Sequence, residues 1–124
     1  MARSEPKPSV VLFVRHGQTP TTGTKLPGRA KGLHLAPAGV EQAERAAGRI
    51  AALGSVAAVY ASPMERTQET AAPIARQCKL RVRTHKGLIE ADFGQWTGKN
   101  LSALRKKPEW NTVQRYPSGF RFPG

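Results

Sequence analysis

The chain has 124 residues, enough for one domain with a core, and 39% of them are hydrophobic. Lys and Arg total 20 against 8 Asp and Glu, a formal net charge of +12, which favours polyanions, acidic surfaces or small anionic substrates as partners. The single cysteine, Cys78, excludes an internal disulfide, and no stretch approaches the ~20 apolar residues of a membrane span, so no membrane partner is expected.

Met1–Ser9 is polar and proline-bearing, a predicted disordered tail without the apolar segment of a secretory signal, so a cytoplasmic location is the expectation. Residues 10–124 then read as a single domain with no internal repeat. Val10–Val14 is a continuous apolar run, the pattern of a strand buried on both faces of a parallel sheet, and it leads directly into Arg15, His16 and Gly17. A Thr-, Gly- and Pro-rich loop follows to about Leu35, long enough to be functional or mobile. From Pro37 to Leu53 the period is helical. Val40, Ala43, Ala47 and Ile50 form the apolar stripe, Glu41 and Arg45 stand i,i+4 on the other side, and Gly54 fits just past the end.

Val56–Ala61 is a second predicted strand. Ser62 as N-cap, Pro63 at the first helical position and Glu65 closing a capping box predict a helix running toward Gln77. Met64, Thr67, Ala71, Ile74 and Cys78 lie near one face of it, and Pro73 should kink it. Leu80–Thr84 alternates apolar and basic residues, as an edge strand does. Asn100–Lys107 reads as a short helix capped by Asn100; past Pro108 the pattern weakens, and Pro117–Gly124 reads as loop. The order β-α-β-α-β predicts a parallel sheet with right-handed crossovers and both strand-to-helix junctions on one edge.

That edge gathers the chemistry. Ligands of open α/β sheets bind outside the carboxyl ends of the strands, where Arg15 and His16 leave the first strand. Arg66 stands in the first turn of the helix after the second strand, where unpaired N–H groups and the dipole favour phosphate. Two guanidiniums can grip phosphoryl oxygens, and a neutral imidazole between them is a competent nucleophile toward phosphorus. Glu90 is the candidate acid for the leaving oxygen. Taken singly, His16 reads as a loop histidine and Glu90 as a solvent-exposed carboxylate; Phe93 and Trp96 read as packing residues and Cys78 as a small buried filler.

Three ordered segments carry a resemblance. Arg15-His16-Gly17-Gln18-Thr19, Ser62-Pro63-Met64-Glu65-Arg66-Thr67-Gln68-Glu69-Thr70 and the run from Leu88 to Gly98 are similar to the motifs of the histidine phosphatase, or phosphoglycerate-mutase-like, superfamily. Leu35-Ala36-Pro37-Ala38-Gly39-Val40-Glu41-Gln42-Ala43 resembles its Leu-Thr-x-x-Gly-x-x-Gln-Ala helix start, and Pro108–Gly124 is most similar to actinobacterial members. The resemblance implies a three-layer α/β/α fold with a mostly parallel sheet. It implies a phosphohistidine at His16, phosphate binding by Arg15 and Arg66, and Gln18 and Thr19 near the pocket mouth. Glu90 would protonate the leaving group and then activate water. Thr22 stands where many members carry a phosphate-binding Asn. No metal or other cofactor is needed, because arginines supply the positive charge, and the expected partner is a small phosphorylated substrate.

One departure bears on activity. Family members carry a second catalytic His after the Glu, whereas His34 and His85 both precede Glu90. The domain thus reads as incomplete at its C-terminus, and loss of one charge-stabilising donor costs ~10²–10³ in rate. The expectation is a phosphomonoester hydrolase, weak or inactive as this chain. It is preferred to a phosphoglycerate-type phosphomutase, because nothing in the sequence shows a segment that excludes water. The alternative is a non-enzymatic polyanion binder or an inactive fragment. Arg76, Lys79, Arg81, Arg83, His85 and Lys86 form one basic patch and Arg105-Lys106-Lys107 another, so nucleic acid stays open as a partner, without interleaved aromatics or a motif. The sequence carries no signal of oligomeric state or of which phosphoester is bound.

Overall fold

The computed structural model describes residues 3–124. Met1 and Ala2 of the predicted tail lie outside the described residues, and residues 3–9 are exposed without regular structure. The elements in chain order are α1 (Pro37–Ala51), β1 (Val59–Ala61), α2 (Glu65–Gln77), β2 (Val82–Thr84), α3 (Leu101–Leu104) and α4 (Pro108–Arg115), with single 3-10 turns at Lys86–Leu88, Gly94–Trp96 and Pro117–Gly119. β1 and β2 pair in parallel, Val59 opposite Val82 and Ala61 opposite Thr84, across the α2 crossover. This is an α/β fold with helices and a small parallel sheet.

Small residues set the main packing. Gly39, Ala43 and Ala47 recur every fourth residue and are all buried; α1 packs on α2, and at Gly39 it meets the Gln18 backbone. Ala47, Val59, Ala61, Ala71, Ile74 and Ala75 form the buried core, with Ile50, Val56, Cys78, Leu80 and Val82 packed around it. A second cluster is aromatic. Trp96, 3% exposed, meets Trp110, Phe120 and Phe122 at ring separations of 6.4, 5.3 and 5.4 Å, and Phe122 also meets Phe93. The backbone bond from Gln95 N–H to the Pro123 carbonyl (2.6 Å) ties the C-terminal segment to this cluster.

Several sequence expectations change. Val10–Val14 is not a buried strand: it joins no ladder, and Val10, Leu12 and Phe13 are 86%, 52% and 90% exposed. The sheet has two strands instead of three, and an apolar run stays out of a sheet wherever no neighbouring strand offers it hydrogen bonds. Val40 faces solvent because the buried stripe of α1 is centred on Gly39. α2 begins at Glu65 with Met64 at its cap, two residues later than the predicted Ser62 cap. Ser62 Oγ lies 2.6 Å from Thr67 Oγ1, and the Glu65 carboxylate accepts from the Gly32 amide, so neither side chain closes a capping box. Pro73 sits buried within a continuous α2.

Asn100 does occupy the N-cap position of α3 but makes no side-chain cap bond, and α3 ends at Leu104. α4 forms where no element was expected, with Pro108 opening it at a position that needs no N–H donor. β1 and β2 fall within their predicted spans and the Glu41–Arg45 pair forms at 4.0 Å. Gly54 has φ +89 just past α1, as its place after a helix end requires.

Candidate functional site

His16 follows the extended Val10–Val14 segment and is half-buried. Its Nδ1 lies 2.7 Å from the Gly17 carbonyl. A carbonyl only accepts, so Nδ1 carries a proton and donates; in the neutral tautomer that this contact selects, the lone pair open to an electrophile is on Nε2. The peptide beneath this ring is fixed by three contacts. Gly17 N–H donates to Thr70 Oγ1 of α2 (3.0 Å), Gln18 N–H donates to Gln42 Oε1 of α1 (2.9 Å), and Ala36 N–H donates to the Gln18 carbonyl (2.8 Å).

Glycine is required at this junction by proximity. A Cβ on Gly17 would lie 2.5 Å from the Gly39 carbonyl oxygen, so the start of α1 rests directly on the His16 peptide. A cleft of about 240 Å³ opens beside it, lined by Val14, Arg15, His16, Gly17, Gln42, Ala43, Ala46 and Thr70. Arg15 is exposed at its rim.

Arg66 lies apart from that cleft wall. It is the second residue of α2, only 1% exposed, and its Nη2 donates to the Gly28 carbonyl at 2.8 Å. Nε and Nη1 are buried without a hydrogen-bond partner among the described residues. A guanidinium is always charged, so two unpaired buried donors are costly unless they serve an anion. Thr70 relates this group to His16, since its hydroxyl accepts from Gly17 N–H and donates to the Arg66 carbonyl (2.7 Å).

The remaining predicted residues are placed around the same loop. Thr19 is buried; its N–H donates to Thr22 Oγ1 (2.8 Å), and the two hydroxyls stand 3.1 Å apart. Thr22 therefore closes a local turn here. Gln18 is exposed. Glu90 is half-buried, its Oε1 accepting from its neighbour Ala91 N–H (2.8 Å), and its backbone carbonyl accepts from Arg29 Nε (2.8 Å). Arg15 and His16 thus share one cleft, while Arg66 donates to the Gly28 carbonyl and the side chain of the next residue, Arg29, donates to the Glu90 backbone carbonyl. Among the described residues, no group of three or more His, Cys, Asp or Glu side chains is placed to hold a metal ion, and no helix is long and apolar enough to cross a membrane.

The loop between these two halves of the site has its own anchors. Gly32 N–H donates to Glu65 Oε1 (2.9 Å), Leu35 N–H to Glu69 Oε1 (3.0 Å), and His34 Nδ1 lies 2.6 Å from Glu69 Oε2. The Glu69 hydrogen bond and charge raise the His34 pKa above its ordinary 6.5. The Gly32 amide holds the Glu65 carboxyl below its usual range. Sequence reasoning assigned no site role to Thr70, Gln42, Glu69 or His34, and gave Glu65 only a helix-capping one. Thr70 and Gln42 stood inside the quoted motifs, but their partners are backbone amides 53 and 24 residues away, which no spacing reveals.

Comparison with known proteins gives a consistent picture. The profile of the Histidine phosphatase superfamily (branch 1) matches residues 11–124. An uncharacterized protein of Mycobacterium tuberculosis is 41% identical over 108 residues, covering 85% of this chain and 53% of that protein. A bifunctional protein of the same organism is 36% identical over 103 residues, covering 82% of this chain and 28% of that one. Among solved structures, phosphoserine phosphatase from Entamoeba histolytica in complex with 3-phosphoglyceric acid superposes with a TM-score of 0.73 at 28% identity, covering 88% of this chain and 53% of that chain. Mycobacterial glucosyl-3-phosphoglycerate phosphatase shares the fold with a TM-score of 0.75 at 24% identity, over 88% of this chain and 51% of that one. The chain spans about half the length of these structures and between a quarter and about half of these relatives.

Proposed function

The chain belongs to the histidine phosphatase superfamily, branch 1, and from that premise we propose that its site hydrolyses a phosphomonoester through a phosphohistidine at His16. The observation that carries this reading is the 2.7 Å contact of His16 Nδ1 with the Gly17 carbonyl, which leaves Nε2 as the nucleophilic nitrogen. In the first step Nε2 forms a bond to phosphorus as the phosphorus–alkoxide bond breaks, and the Glu90 carboxyl gives its proton to the departing oxygen. In the second, Glu90 takes a proton from water, whose oxygen displaces His16 Nε2 and releases inorganic phosphate.

Arg15 at the cleft rim and the unpaired Nε and Nη1 of Arg66 supply positive charge to the phosphoryl oxygens, with Gln18, Thr19 and Thr22 as the nearby polar groups. Names of structural neighbours, phosphoserine phosphatase and glucosyl-3-phosphoglycerate phosphatase, support a small phosphorylated molecule as substrate. In this reading turnover is slow, because Arg66 and Glu90 stand outside the cleft that holds His16.

The test is hydrolysis of p-nitrophenyl phosphate by the chain and by His16→Ala, together with mass spectrometry for a phosphoryl group on His16 after acid-free quenching. The expected result is slow, His16-dependent release of nitrophenolate with phosphorylated His16 in the parent alone. Equal release from both proteins, or turnover without label on His16, refutes the proposal.

A further inference from the structure

The loop between Gly28 and Leu35 lies across the first turns of α2 and is tied to that helix at four points, while Arg29 within it also reaches the Glu90 carbonyl. The Gly28 carbonyl takes Arg66 Nη2, Gly32 N–H is held by Glu65, and Glu69 holds both Leu35 N–H and His34. Beneath it the Arg66 guanidinium is 1% exposed and keeps two unpaired donors. The lock itself is open to solvent, with His34 and Glu69 side chains 63% and 35% exposed. The loop also has pivots: Gly28 and Gly32 have φ +51 and +76, and Gly32 has open space around it.

We propose that Gly28–Leu35 is a strap latched over Arg66 by Glu65 and Glu69, and that lifting it is what admits an anion to the guanidinium. The idea rests on the reading of Arg66 as a phosphate ligand. The charged side chains that act on His34 are Glu69 and Glu65, both on α2 and both acidic. Protonated His34 therefore strengthens the latch. Its contribution is full below pH 6.5, the ordinary value, and is lost as pH rises through the raised value of the latched state. Alkaline solution unlatches the strap and acid closes it. Because the pair is exposed, the effect is modest, about two- to fivefold in the population of the open state.

Two measurements on the full chain test this. The first is hydrogen-exchange protection of the Leu35 amide against pH, in the parent and in Glu69→Gln and His34→Ala. Protection is expected to fall in the parent as pH rises above 6.5, through the raised value of the latched His34, and to lack that step in both variants. A profile shared by all three proteins overturns the latch.

The second is binding of inorganic phosphate near pH 6, followed calorimetrically. Both variants are expected to bind about two- to fivefold more tightly than the parent. Unchanged or weaker binding overturns the gate. Phosphate bound by none of the three proteins, alongside a normal Leu35 profile, overturns instead the reading of Arg66 as an anion ligand.

Discussion

Replacing Thr70 with Val tests whether the His16 peptide is held from α2. The side chain is 5% exposed, and its hydroxyl both accepts from Gly17 N–H at 3.0 Å and donates to the Arg66 carbonyl at 2.7 Å. Valine keeps the volume and the branched Cβ, so the change is confined to hydrogen bonding. The Arg66 carbonyl retains its ordinary place in the i→i+4 pattern of the helix. Gly17 N–H does not: it is buried, and its hydrogen bond is made to Thr70 Oγ1. Leaving one buried donor unsatisfied costs about 1–3 kcal/mol.

With a urea slope of about 1–3 kcal/mol/M for a chain this size, the midpoint should fall by roughly 1 M. Thr70→Ser keeps both bonds and loses one methyl, about 1 kcal/mol. Urea denaturation gives the stabilities, and exchange of the Gly17 amide separates the two variants, since its protection should disappear in Thr70→Val and persist in Thr70→Ser. A Thr70→Val protein as stable as its parent, or one with a protected Gly17 amide, refutes the reasoning.

Two further outcomes follow from packing. Trp96→Ala removes the centre of the aromatic cluster, where Trp96 is 3% exposed among Trp110, Phe120 and Phe122, and should cost about 3–5 kcal/mol by urea denaturation; a loss under about 1 kcal/mol would show that the C-terminal segment does not pack there. Phe13→Gln should change stability by no more than about 0.5 kcal/mol, because Phe13 is 90% exposed; a loss of several kcal/mol in the same experiment would restore the buried-strand reading.

What the sequence by itself determined is local. The start of α1 at Pro37, the extent of α2 to Gln77 and the positions of β1 and β2 are written in short-range periodicity and in proline and glycine placement. The family was equally legible, because its motifs are contiguous runs around His16, Arg66 and Glu90. Tertiary structure decided the rest. Val10–Val14 has the composition of a core strand, yet burial depends on neighbours that the run does not contain, and the segment is exposed. Glu65 has the spacing of a capping box, yet an amide from a loop 33 residues earlier takes its carboxylate. Arg66 was placed at a helix start by its motif, but its burial under Gly28 comes from a loop whose path depends on His34, Glu65 and Glu69 together. Periodicity reports which face of an element is apolar; which groups meet across the fold depends on chain closure over tens of residues, and there the partners of Gly17 and Arg66 are chosen.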